Sequence, residues 1–92
     1  MAKIFVVQQE YQADVKAFKV SQAYQADILV FVEKQEYQAK DDVLWYYVPN
    51  EYQASAKVYW VDQEYQSELK VFFVHQEYEA KWQNSHPMRG RL

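Results

Sequence analysis

The sequence predicts an all-β fold built from a tandem strand-and-bend unit of about 13 residues. Three observations carry that prediction. First, a tyrosine word recurs: Gln-Glu-Tyr-Gln-Ala at 9–13, with close variants centred on Tyr24, Tyr37, Tyr52, Tyr65 and Tyr78, at spacings of 13, 13, 15, 13 and 13. Second, the residues between these words alternate with period two and are rich in Val, Ile, Phe, Tyr and Trp, which is the strand signature. Third, the chain has a single glycine, Gly90, where average usage would place about six.

The period defines seven strand segments, roughly 3–7, 11–20, 24–33, 37–48, 52–61, 65–74 and 78–82. The first has no tyrosine of its own and reads Lys-Ile-Phe-Val-Val. In the second, Tyr11, Ala13, Val15 and Ala17 share one face, and Gln12, Asp14, Lys16, Phe18 and Val20 share the other. The third repeats this pattern with Ile28 and ends in Glu33, where the other units carry valine. The fourth is lengthened by Lys40-Asp41, which delays its apolar residue to Val43. The fifth and sixth are regular, and the last stops at Trp82. Two residues after each tyrosine stands a small side chain, alanine in five units and Ser67 in the other. The Tyr/Ala/Val face is therefore read as the interior, with Ala26, Ala39 and Ala54 nearly fully buried. The aromatics Phe5, Phe18, Phe31, Tyr46, Tyr59 and Phe72 and the valines near each strand's end form a second, half-buried layer, with lysine stems lying over them.

Tight hairpins favour positive φ, which Gly, Asn or Asp supply. The trios between strands are instead of the type Ser-Gln-Ala or Asp-Gln-Glu. Such residues fit the right-handed region and are strained at positive φ. The connections are therefore open bends or single helical turns, and an up-and-down meander is disfavoured. A β-solenoid or a small barrel, in which successive turns of a coiling chain lie side by side, fits better.

The phrase Glu-Tyr-Gln-Ala-Asp-Val/Ile followed by Val-Phe and Val, repeated over residues 3–82, resembles the septoil-knot domain family. The resemblance implies a closed, knotted ring in which the chain circulates about twice, so that strands pair mainly with those three or four units away. It implies no catalytic residue. Unit four departs from the family pattern by its insertion and its Val-Pro-Asn-Glu bend.

Composition narrows the function. Ninety-two residues make one domain, read as 1–82 with a tail at 83–92. The formal charge of −3 lacks the basic excess of a nucleic-acid binder. No apolar run approaches the roughly 20 residues of a membrane span. The start of the chain turns polar too soon for a signal peptide. The expected location is cytoplasmic and the expected state monomeric, with no nucleic-acid or membrane partner. The chain has no cysteine, which removes thiol catalysis and cysteine–zinc sites.

No cofactor or metal is expected. The bend acids Glu10, Glu36, Glu51, Glu64 and Glu77 read as a solvated rim. His75 and His86 form no ligand motif, and Ser21, Ser55, Ser67 and Ser85 lie in no glycine-flanked elbow. The expectation is that the chain is not an enzyme. Unit four offers the one candidate binding surface: Asp41, Asp42, Trp45, Tyr46 and Tyr47. The tail holds both arginines and no acid, and reads as a frayed end or a basic arm. These features point to a small, persistent, non-catalytic structural or interaction module. The alternative is a carbohydrate- or peptide-binding protein using the aromatic surface of residues 41–50.

Overall fold

The structure, a computed structural model, describes residues 2–90 and Leu92. Arg91, one of the two arginines of the basic arm, lies outside the described residues. The chain forms seven strands: β1 (Ala2–Val6), β2 (Val15–Lys19), β3 (Ile28–Val32), β4 (Leu44–Tyr47), β5 (Ala56–Trp60), β6 (Leu69–Phe73) and β7 (Lys81–Trp82). Between them sit six single 3₁₀ turns: Glu10–Gln12, Ala23–Gln25, Glu36–Gln38, Glu51–Gln53, Glu64–Gln66 and Glu77–Glu79.

These turns realise the prediction from missing glycine. Each is preceded by an extended residue, such as Gln9 at φ −125°, and is closed by the same two bonds, as Gln12 N–H to Gln9 C=O and Ala13 N–H to Glu10 C=O. Among the described residues only Gly90 has a positive φ.

The turns also overturn part of the sequence reading. The 3₁₀ rotation breaks the period-two phase, so each tyrosine leaves the face on which its following alanine lies. All six repeat tyrosines point to solvent, 71–84% exposed. Tyr11, Tyr24, Tyr37, Tyr52, Tyr65 and Tyr78 are thus turn residues rather than core residues, and the strands are five residues or fewer instead of about ten. Ala26 and Ala39 are buried as expected, whereas Ala54 is half-buried.

Six strands run parallel and close into a ring in the order β4-β1-β5-β2-β6-β3, with β3 returning to β4. Apart from that last contact, every pair joins units three or four apart, as expected. Each of the six parallel strands divides its pairing within the ring between two neighbours. In β1, Ala2–Ile4 pair with β4 and Ile4–Val6 with β5; in β5, Ala56–Val58 pair with β1 and Val58–Trp60 with β2.

The eight-residue connections reach at most about 26–29 Å when extended. That is enough to climb outside one five-residue strand of about 16 Å. The first therefore passes over β5, the strand it skips, and the fourth passes over β1. The long unit behaves differently. Its chain leaves the extended line at Ala39 (ψ 69°), and the two extra residues bring β4 down directly beside β3. β4 pairs only with Phe31 and Val32 of β3, and β7 fills the other half of that edge, antiparallel, opposite Ile28 and Leu29.

The ring interior is two layers of side chains. The first inward residues are Ala2, Val15, Ile28, Val43, Ala56 and Leu69; the central ones are Ile4, Ala17, Val30, Trp45, Val58 and Val71. Outside the sheet, Val7, Val20 and Val48 are buried and the repeat aromatics half-buried, which is the second layer expected from the sequence. The outer lysines pair with the turn acids: Lys16–Glu10 at 2.8 Å, Lys57–Glu51 at 3.4 Å, Lys70–Glu64 at 3.3 Å and Lys3–Glu36 at 2.8 Å. Glu10 in turn raises the Lys16 pKa, by hydrogen bond and by charge. In the third unit both partners change together, to Ala23 and Leu29, which pack into an apolar cluster with Val20 and Ala26. Glu33 is buried at the valine position, 6% exposed, and its Oε2 has no hydrogen-bond partner.

Ala39 is fully buried where the chain turns into the insertion. Ala39→Leu is expected to destabilise by about 1–3 kcal/mol through overpacking, read as a lower urea midpoint. A neutral effect would mean that the site can open without cost.

Candidate functional site

Parallel strands bring all their C-terminal ends to one mouth of the ring, and mouths of this kind are where small ligands bind. The inward residue that ends each strand here is Val6, Lys19, Val32, Tyr47, Trp60 or Phe73. The last three are aromatic and come from successive strands in sequence. Trp60 and Phe73 lie 5.9 Å apart, and Trp45 beneath them lies 6.4 Å from both Tyr47 and Trp60 and 6.0 Å from Phe73. Trp45 is fully buried and so forms the floor rather than the surface. The Lys19 ammonium stands 5.5 Å from the Phe73 ring centre, within cation–π range. Lys19, Tyr47, Trp60 and Phe73, together with Phe18, Val61 and Asp62, line an open depression of about 550 Å³. Tyr47 is 38% exposed, yet burial of the rest of the residue pushes its phenol up to about 12, so it stays a neutral hydroxyl at any physiological pH.

The family model of the 7(1) septoil knot domain matches residues 1–83, nearly the whole chain. The chain belongs to the septoil-knot domain family. No curated protein and no solved structure matches it.

In this septoil-knot domain the five residues singled out from sequence do not form one surface. Asp41 and Asp42 lie before the start of β4, at the opposite mouth. Asp42 is buried; its carboxylate accepts the Gly90 amide and its carbonyl accepts the Trp45 indole N–H at 2.7 Å. Tyr46 is half-buried on the outer face near Lys3, Glu36 and Tyr37. Tyr47 alone reaches the aromatic mouth. Trp60, Phe73, Lys19 and Asp62 were missed, although a signal was present. The position five before each tyrosine is aliphatic or lysine in the first three units and aromatic in the next three.

The tail is a second departure from expectation. It is not frayed: Leu92 is 3% exposed and joins the core cluster. Among the described residues, no helix is long and apolar enough to cross a membrane.

Proposed function

We propose that this septoil-knot domain is a non-catalytic binding module whose aromatic mouth takes a carbohydrate. The observation that carries the reading is the grouping of Tyr47, Trp60 and Phe73 around an open depression flanked by one cation, Lys19, and one anion, Asp62. An aromatic face packs against the apolar C–H face of a sugar ring. The flanking ammonium, carboxylate and neutral phenol offer donors and acceptors to its hydroxyls. A scaffold role supports the same reading. In five of the seven strand pairings the partners lie 43 or 52 residues apart in sequence, as Ala2 with Trp45 and Ile4 with Ala56. Such non-local contacts favour slow folding, and a strand held between two neighbours resists local opening.

The test is tryptophan fluorescence during titration with a panel of mono- and oligosaccharides, in the native domain and in Trp60→Ala. A saturable change in the native domain that Trp60→Ala abolishes is the expected result. An unchanged spectrum across the panel overturns the carbohydrate reading.

A further inference from the structure

The segment after β7 occupies the other mouth. Residues 84–92 lie beyond both the ring and the family match. Of these, the described residues 84–90 and Leu92 nevertheless cross the N-terminal ends of the strands on specific contacts. The Gln83 side-chain amide leads in, donating to the Ala23 and Ala26 carbonyls at 2.6 and 2.9 Å. Asn84 donates to Asp27 at 2.8 Å. His86 stacks on Trp82, its Nε2 lies 2.5 Å from the Glu68 carbonyl oxygen, and its Nδ1 accepts the Met88 N–H. The Gly90 N–H donates to the Asp42 carboxylate. Met88 packs against the core, and Leu92 is buried in the one cluster that fills the ring interior.

The charge of this mouth matches its occupant. The residue that precedes each strand is Asp14 before β2, Asp27 before β3, Ser55 before β5 and Glu68 before β6, with Asp41 and Asp42 just ahead of β4. Parallel strands place all of these at one end, so five acids and Ser55 form a collar around an apolar centre; Asp14, Asp27 and Glu68 also accept the Lys57, Lys70 and Lys16 backbone amides. The segment 84–92 contains two arginines, a histidine and a leucine, and no acid.

We propose that this mouth is a peptide-binding site for a short basic segment anchored by a leucine, and that residues 84–92 are its resident occupant. The occupant acts as a tethered competitor. A segment joined to its own site by a short linker has an effective concentration on the order of mM. A basic, leucine-bearing peptide of a partner therefore enters only when the resident segment is displaced. The indole N–H of Trp82, buried without an acceptor, is a spare donor in the same cleft. This inference uses a different mouth from the carbohydrate reading and stands apart from it.

The test uses the full chain and a fluorescent peptide of residues 84–92, followed by anisotropy. In Leu92→Asp the new carboxylate faces the acidic collar and ejects the segment. That variant is expected to bind the peptide at least tenfold more tightly than the native chain does, with binding weakened in 0.5 M salt. A peptide in which both arginines are replaced by glutamate is expected not to bind. His86→Ala, which removes the stacking and both ring hydrogen bonds from outside the core, gives the same ordering should Leu92→Asp fail to fold. Equal binding by native and variant chains, or no binding by a folded variant up to millimolar peptide, overturns the proposal.

Discussion

Trp45→Ala is expected to cost about 3–5 kcal/mol, the largest effect of any single substitution in this domain. Trp45 is fully buried at the centre of β4 and heads the fully buried side chains by volume. It contacts three aromatic rings, and its indole N–H is satisfied by the Asp42 carbonyl. Truncation removes its apolar burial and leaves a void that the ring is poorly able to close, because β4 is pinned between β1 and β3. It also strands the Asp42 carbonyl. Set against a total stability of about 5–15 kcal/mol for a domain of ordinary stability, this is a large fraction of the margin. The measurement is urea unfolding followed through circular dichroism, since a tryptophan reporter is lost. A cost below about 1 kcal/mol would show that the interior repacks freely.

Glu33→Val is expected to do the opposite and stabilise the domain by about 1–3 kcal/mol at pH 7. Valine or its equivalent is what the other units place here, under the connection that passes over β3. Glu33 is instead buried with an unpartnered oxygen. Burial first, and the nearby Glu77 carboxyl second, raise its pKa. The folded chain thus holds this proton to higher pH than the unfolded chain does. Stability from this group is therefore fully present below the ordinary glutamate pKa of about 4.3. It is lost as pH rises through the raised folded value. The urea midpoint of the native domain should fall over that window, and the fall should shrink in Glu33→Val and in Glu33→Gln. A Glu33→Val domain less stable than the native one at pH 7 would mean that the carboxyl makes a favourable contact.

The strands and the absence of a hairpin meander were legible in the sequence because both depend on local rules, whereas the pairing three or four units away came from the family resemblance. Period two marks a strand wherever one face is buried, and turns poor in glycine cannot form tight hairpins. The phase was not legible through the turn. Gln-Glu-Tyr-Gln reads equally well as the end of a bend or the start of a strand, and one 3₁₀ rotation moves Tyr11 and its five counterparts from core to solvent. The fate of Trp45 followed from the same limit. Trp45 and Tyr47 sit two residues apart on one strand and face, yet one is the floor of the mouth and the other its rim. Depth along a tilted strand depends on how far its neighbours are staggered, which no single segment encodes. The tail was misread because its sequence is polar and carries proline and glycine. Only the closed ring creates the acidic, apolar-centred mouth that gives Leu92 somewhere to go.

The long fourth unit has a consequence in the arithmetic of parity. A regular unit advances the chain by two places around the ring, since it skips one strand. On a ring with an even number of places, even steps visit only every second place, and a strictly periodic chain would return to β1 with half the ring empty. One odd step is required to reach the vacant places, and the unit holding Lys40-Asp41, which advances by one, is that step. The same count sends β7 to the place β4 already holds, which is where it lies, beside the free half of β3. Identical units would interleave unaided only on an odd ring, of five places with a tighter bore or of seven with a wider one. Two inserted residues therefore act as a size selector: they hold the ring at six strands, a bore that a single indole and a few aliphatic side chains can fill.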